Sequence, residues 1–249
     1  MSVLGGVLLG ILLEKYSFPT NYSLTFLIAF IFLSISLVSF SFTREPPSHQ
    51  VRQDDRFHAY LSDLVSILKA NRNLRLFILA NLFLSFQNMV TMFYTVFAIR
   101  SFQLTGVSIG LLTSIFTGSN TMINLLWGYM GDKRGHIQVA RLGAILSASA
   151  SLLAVFTGSS LLLYLLFIVA GIGSAAIVLS NTNLVFELSE EKYRPTYIAI
   201  SSALQVPSIA LASFIGATVA DLFNYSTLFL LTSLVLIAGF FILVLIKTS

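Results

Sequence analysis

Residues 224–246 read NYSTLFLLTSLVLIAGFFILVLI and contain no charged side chain. At about 1.5 Å of rise per residue, a helix of this length crosses the ~30 Å hydrocarbon core of a bilayer. Six further stretches are apolar and long enough to do the same, and they cover residues 22–42, 75–99, 106–130, 138–158, 160–182 and 195–220. The sequence therefore predicts an all-α membrane protein with seven full transmembrane helices.

The composition agrees with a lipid environment and gives no sign of an enzyme. Of the 249 residues 56% are hydrophobic and 10% are charged, whereas a soluble domain needs about a quarter of charged residues. The chain has no cysteine, which excludes disulfides and thiolate metal sites. His49, His58 and His136 all lie in polar segments, and the sequence contains no phosphate-binding loop and no nucleophile paired with a base. We expect no enzymatic activity, no metal and no cofactor.

An eighth apolar segment, residues 3–13, is too short to cross a bilayer. It is either a short tilted or interfacial helix, or the remainder of a longer helix. A weak internal repeat favours the second interpretation: the triplet NYS at 21–23 recurs at 224–226, and the pair FL at 26–27 recurs at 229–230. This offset pairs the first helix with the seventh and the second with the eighth, which predicts a repeating unit of six helices.

The repeat divides the chain into three parts. Residues 1–42 would be the last two helices of an N-terminal bundle, the first of them truncated, and residues 75–249 would be a complete C-terminal six-helix bundle. Between them, residues 43–74 are polar and contain two prolines. Apolar residues recur there at helical spacing, which predicts an amphipathic helix in the linker; they are Phe57, Leu61, Leu64 and Leu68.

The basic residues predict the orientation in the membrane, because cytoplasmic loops carry an excess of Lys and Arg. Lys15 and Arg100 fall on one side of the proposed helices. The other twelve fall on the opposite side, and they are Arg44, Arg52, Arg56, Lys69, Arg72, Arg75, Lys133, Arg134, Arg141, Lys192, Arg194 and Lys247. We expect both termini and the linker to be cytoplasmic in a multi-pass protein of the cell membrane. The net charge of +4 then reflects this asymmetry and does not indicate nucleic-acid binding.

The loop at residues 128–136 reads GYMGDKRGH. It resembles the signature loop of the major facilitator superfamily, G-x-x-x-D-[RK]-x-G-[RK], which follows the second helix of each half of these transporters. The match includes Gly128, Asp132, Lys133 and Gly135, whereas His136 stands where the family has a permanent cation. The alternative interpretation is an ordinary charged turn. The segment 187–195, ELSEEKYRP, more weakly resembles the start of the family's eleventh helix.

Each residue of this loop has a physical reason to be there. Gly128 would let two helices approach closely, and Gly135 would permit the tight turn. Lys133 and Arg134 would hold the loop in the cytoplasm. The resemblance implies that Asp132 faces the positive start of the family's fifth helix and stabilises one closed conformation.

The resemblance extends over the whole chain and implies the general fold of this superfamily, twelve helices in two six-helix bundles, with about four helices missing at the N-terminus. It also implies a secondary active transporter of the permease or efflux type that moves a small solute by alternating access. The alternative is a membrane protein derived from a transporter fragment that does not transport or depends on a partner. The expected partners are the solute, the lipid bilayer and the missing helices, supplied by the same gene or by a partner chain; no nucleic acid is expected.

Polar side chains along three predicted helices mark a candidate substrate path, because polar groups in hydrocarbon face a bundle interior or a wet cavity. The candidate residues are Asn81, Ser85, Asn88, Thr91, Thr117, Asn120, Asn124 and Gln205. The alternative is that these groups only hydrogen-bond to neighbouring helices. Gly110, Ser114 and Gly118 form a stripe suited to close helix packing. No ionisable residue falls at mid-membrane depth, which favours a neutral or hydrophobic substrate.

Overall fold

The structure, a computed structural model of the chain, describes residues 2–43, 71–189 and 194–246. Within these ranges the regular secondary structure is helical. Seven segments are long and apolar enough to span a membrane, and each coincides with one of the seven predicted stretches. The prediction of an all-α membrane protein is confirmed.

The described ranges contain nine helices, because one of the seven spanning segments is divided and one further helix is too short to span. Their bounds are α1 Ser2–Lys15, α2 Thr20–Ser41, α3 Arg72–Leu84, α4 Phe86–Phe102, α5 Gly106–Arg134, α6 His136–Val155, α7 Ser160–Leu188, α8 Arg194–Leu222 and α9 Tyr225–Val244. Consecutive helices from α4 to α7 are joined by turns of a few residues, as antiparallel neighbours in a bundle require.

Four helices begin at a polar side chain that accepts a hydrogen bond from a backbone N–H of the first turn, which stabilises a helix start. These side chains are Asn71, Thr105, Ser159 and Asn224, with N···O distances of 3.0, 3.4, 3.4 and 2.8 Å. The cap at Asn71 starts α3 at Arg72, three residues before the predicted span 75–99. The rest of the linker, including its predicted amphipathic helix, lies outside the described residues.

The predicted span at 75–99 is a pair of helices, α3 and α4, that meet at Ser85. The Ser85 hydroxyl donates a hydrogen bond to the Asn81 carbonyl at 2.7 Å, and the Ser85 backbone N–H donates to the same oxygen at 2.9 Å. The Asn88 N–H donates to the Ser85 carbonyl, three residues back, at 3.1 Å. Serine hydroxyls that bond back to the preceding turn bend helices, so the division has a local cause that a hydropathy pattern does not register.

Helix α6 lies at the centre of the bundle and packs between α7 and α9. One apolar cluster joins α3 to α9 through Phe77, Leu84 and Leu236, all buried. A second cluster lies on the α4 side, where the Phe229 ring centroid is 5.4 Å from that of Tyr94. Helix α8 is peripheral among the described helices, and most of its side chains are exposed.

Helix α1 packs antiparallel along the first half of α5. A Cβ atom at Gly110 would lie 2.7 Å from the Gly6 carbonyl oxygen, and one at Gly6 would lie 2.6 Å from the Ser114 hydroxyl. Small residues let helix backbones approach this closely, so the predicted small-residue stripe is confirmed at Gly110 and Ser114. Helix α2 adjoins α1 and otherwise exposes apolar side chains, such as Phe26 at 72%, which suits contact with lipid.

Candidate functional site

A polar pocket of about 200 Å³ opens where α3 meets α4, and α7 and α8 form its opposite walls. Three apolar side chains belong to its lining, and they are Leu84, Ile177 and Val178. The remaining lining residues carry amides or hydroxyls. In a bundle of predominantly apolar helices, this pocket is a local concentration of hydrogen-bonding groups.

Four of the predicted path residues line this pocket: Asn81, Ser85, Asn88 and Gln205. The first three recur at intervals of four and three residues, so one side of the α3–α4 segment presents them together. Gln205 reaches the pocket from α8, on the far side. The structure thus brings together residues that are more than a hundred positions apart in the chain.

Two hydrogen bonds fix the amides on the pocket wall. The Asn81 Nδ2 atom donates to Asn181 Oδ1 at 2.7 Å and ties α3 to α7. The Ser147 hydroxyl, on α6, donates to Gln87 Oε1 at 3.1 Å. Gln87 and Ser147 are both buried, so the second bond holds the Gln87 carboxamide in one orientation.

Sequence reasoning did not assign Gln87, Asn181 and Thr182 to the path, although all three line the pocket. A signal was available for Gln87, because it is an amide beside Asn88 in an apolar helix. Asn181 and Thr182 stand near the end of a predicted span, where polar residues are ordinary. Their role in the pocket depends on the way α7 packs against α3.

The other four predicted residues do not line this pocket. The Thr91 hydroxyl donates to the Gln87 carbonyl at 2.9 Å, and the Thr117 hydroxyl donates to the Thr113 carbonyl. On α5, Asn120 Nδ2 donates to the Gly171 carbonyl of α7 at 3.3 Å, and Asn124 Nδ2 donates to the Asn120 carbonyl at 2.9 Å. The structure therefore separates the predicted set into a pocket group and a group along α4 and α5 that bonds to helix backbones.

The loop at 128–136 forms the junction of α5 and α6. Gly135 ends α5 with a φ of 84°, in the region that favours glycine, so the turn expected there is present. The His136 Nδ1 atom contacts Glu187 Oε1 at the end of α7. Lys133 places its Nζ 4.5 Å from the centroid of the Tyr129 ring.

Among the described residues, a close approach in this loop is found at Gly131. Within the described ranges, nothing lies within 4 Å of a Cβ atom built at Gly128. A Cβ atom at Gly131 would instead lie 2.6 Å from the His136 ring. Gly131 stands nearly one helical turn closer to the start of α6 than Gly128 does, and it is Gly131 that packs against the His136 ring. Asp132 and Arg134 are exposed.

The pocket lining contains no Asp, Glu, Lys, Arg or His. The described part of the chain also holds no group of three or more His, Asp or Glu side chains that could bind a metal ion. What this pocket offers chemically is hydrogen bonding by neutral groups.

The fold and the pocket define a multi-pass helical membrane protein with a polar site between its helices. The sequence model of the Major Facilitator Superfamily matches residues 76–249. The chain belongs to this superfamily, whose members are membrane transporters. A search of curated proteins finds no match to the chain.

Proposed function

We propose that this chain acts in secondary active transport, as a permease or efflux-type protein that moves a small solute across the cell membrane by alternating access. The observation that carries this proposal is the neutral polar pocket at the α3–α4 junction. Each unsatisfied polar group in hydrocarbon costs several kcal/mol, so the pocket is better explained as a wet site than as a surface facing lipid.

Two amides of the pocket support a role beyond helix packing. Asn88 is exposed and Gln205 is half-buried, and among the described residues neither side chain makes a hydrogen bond. Amides that serve only to join helices would use their donors and acceptors on a neighbour, as Asn120 does on Gly171. The amides of Asn88 and Gln205 are free to bind a solute, or to bind water when no solute is present.

We further propose that the path continues from Asn81, Ser85, Asn88 and Gln205 along the faces that carry Thr91, Thr117, Asn120 and Asn124. Thr117 and Asn124 are half-buried and bond only within α5. The loop with Asp132, Lys133 and Arg134 would control the cytoplasmic side of this path.

We propose that α1 and α2 belong to a second bundle, whose further helices complete a twelve-helix transporter from the same polypeptide or a partner chain. An apolar groove between α1 and α2, lined in part by Leu8, Leu12 and Phe32, offers a surface for such helices. Its position beside the glycine contact with α5 suits a boundary between two bundles.

The absence of cysteine from the chain permits a direct test. Asn88→Cys and Gln205→Cys would be expressed in the full chain and treated with a charged, membrane-impermeant methanethiosulfonate. A cysteine reacts as its thiolate, which forms in water and not in lipid. We expect both variants to be labelled, and labelled from either side of sealed vesicles, as alternating access requires.

Leu234→Cys provides the control, because Leu234 is a side chain of α9 that is 64% exposed on the bundle surface, where lipid would cover it. The same scan at Thr91, Thr117 and Asn124 tests the extension of the path along α4 and α5. Labelling of Asn88→Cys and Gln205→Cys no faster than that of Leu234→Cys would contradict the proposal. Labelling from one side only would contradict alternating access.

A further inference from the structure

The hydrogen-bonding groups of the pocket can be sorted into those already used and those still open. Asn81 Nδ2 donates to Asn181 Oδ1. The Asn81 side-chain oxygen remains open as an acceptor, and the Asn181 side-chain nitrogen remains open as a donor. Gln87 accepts from Ser147 through Oε1, which leaves its Nε2 as a donor. These orientations follow from the hydrogen bonds that the amides make.

The pocket hydroxyls can offer only acceptors. Ser85 donates its hydrogen to the Asn81 carbonyl at 2.7 Å, and Thr182 donates to the Val178 carbonyl at 3.4 Å. Their oxygen lone pairs remain open. Asn88 and Gln205 add two carboxamides that can each donate and accept. The pocket therefore presents both donors and acceptors, several of them fixed in direction, and no charge.

This pattern discriminates against two classes of solute. An ionised solute would lose its hydration and would meet no opposite charge in the pocket. Its desolvation free energy would exceed the free energy gained from the pocket hydrogen bonds. An apolar solute would leave the amides desolvated and unpaired. The pocket volume of about 200 Å³ lies below the ~300–1,000 Å³ of drug-sized ligand sites, so a single ring or a short chain fits.

We infer that the pocket binds a small uncharged solute that carries several hydroxyl or amide groups, and that Ser147 acts as a positioning residue by fixing the donor of Gln87. This inference rests on the proposed transport function and specifies its substrate class. Ser147 does not line the pocket; it acts through the carboxamide that does.

The test uses Thr182→Cys in the full chain as a reporter, because Thr182 lines the pocket and bonds only to its own helix. The rate of labelling by the impermeant methanethiosulfonate would be measured with added solutes of similar size. The matched sets are glucose with glucosamine and gluconate, and nicotinamide with nicotinate, and toluene represents apolar solutes. We expect a neutral polar member to protect the cysteine at a concentration at least tenfold lower than its ionised partner.

Several outcomes would overturn the inference: protection by an ionised partner at an equal or lower concentration, stronger protection by toluene, or no protection by any neutral member. These outcomes remain distinguishable from failure of the transport proposal. If Thr182→Cys, Asn88→Cys and Gln205→Cys are labelled without solute, the wet path stands and only the substrate class fails. If none is labelled, the transport proposal itself fails.

The role of Ser147 has its own matched control in Ser151. Both serines are buried in α6, one turn apart, and both bond to side chains of α4, since the Ser151 hydroxyl lies 2.9 Å from the Tyr94 hydroxyl. In the reporter background, Ser147→Ala should raise the protecting concentration of the neutral solute roughly two- to tenfold, the range of one hydrogen bond. Ser147→Thr should restore it, and Ser151→Ala should leave it unchanged. Equal effects of Ser147→Ala and Ser151→Ala would assign Ser147 a purely structural role.

Discussion

The Nδ1 atom of His136 contacts the Oε1 atom of Glu187 and so joins the first residue of α6 to the last turn of α7. The His136 side chain is 11% exposed and the Glu187 side chain 41%, so the contact is shielded on one side only. Gly131 of α5 lies against the other face of the ring. The ends of three helices thus meet at one imidazole.

We predict that His136 and Glu187 are energetically coupled. His136→Ala and Glu187→Gln should each lower the melting temperature of the purified protein. The double variant should lose less stability than the two single variants lose together. The difference, the coupling energy, should be about 1 kcal/mol or less, because Glu187 is partly solvated. Thermal unfolding of the four proteins in one detergent gives this value. Strict additivity would show that the contact contributes nothing to stability.

Gly131→Ala should destabilise the protein through the same ring. The new Cβ atom would lie 2.6 Å from His136 Cδ2 and would displace the imidazole from its present position. The matched control is Gly128→Ala, where no described neighbour lies within 4 Å and helix propensity alone favours alanine by about 1 kcal/mol. In a His136→Ala background, Gly131→Ala should cause little further loss of melting temperature, because the ring that it would meet is absent. If the double variant loses as much melting temperature as the two single variants lose together, the clash is excluded.

The glycine contact should hold α1 against α5. A Cβ atom at Gly106 would lie 3.0 Å from the Leu13 Cβ, close enough for a disulfide after a small adjustment. We therefore expect Leu13→Cys and Gly106→Cys to form an intramolecular disulfide under mild oxidation, visible as a shift on non-reducing gels.

Adding Gly110→Leu to this pair should abolish the cross-link, because the new side chain would meet the Gly6 and Gly10 backbones. Gly5→Leu is the control, since Gly5 has no neighbour within 4 Å in the described structure. Cross-linking that survives Gly110→Leu undiminished would show that α1 does not pack on this face.

Arg141 should stabilise the end of α9. Its guanidinium donates to the Leu243 carbonyl through Nε at 3.2 Å and Nη2 at 3.0 Å, and to the Ile246 carbonyl at 3.2 Å. The last carbonyls of a helix otherwise lack partners. Arg141→Leu should cost about 1–3 kcal/mol, measured as loss of melting temperature, and Arg141→Lys should restore only part of it because an ammonium lacks the planar fork. Full stability of Arg141→Leu would contradict the cap.

The turn at 128–136 and the linker at 43–74 should lie on the same side of the membrane. Arg134→Cys and Ser48→Cys should both react with an impermeant reagent only from the cytoplasmic side, because the proposed topology puts twelve basic residues on their side and such an excess marks cytoplasmic loops. Ser101→Cys, next to Arg100 at the end of α4, should react only from outside. Labelling of Arg134→Cys and Ser48→Cys from opposite sides would overturn the proposed orientation.

Features set by neighbouring residues could be predicted from the sequence, and features set by packing could not. The predicted span 106–130 begins at the residue where α5 begins, Gly106, and there Thr105 caps the helix locally. The repeat of 26–27 at 229–230 matched residues with different surroundings, since Phe229 is fully buried and Phe26 is 72% exposed. In the sequence, Arg141 indicated only a positive charge on one side of the membrane. The backbone carbonyl to which it donates, that of Leu243, lies about a hundred residues further along the chain.

The sequence by itself determined seven segments that are long and apolar enough to span a membrane, because hydrophobic length depends on contiguous residues. It also selected five amides, three of which the structure places in one pocket. Only the tertiary structure decided which of them meet: Asn81 bonds to Asn181 across a hundred residues, while Asn120 bonds to the backbone at Gly171. Helix packing sets such pairs, because the identity of the opposing side chain depends on the relative rotation and register of two helices, and neither is written within a single span.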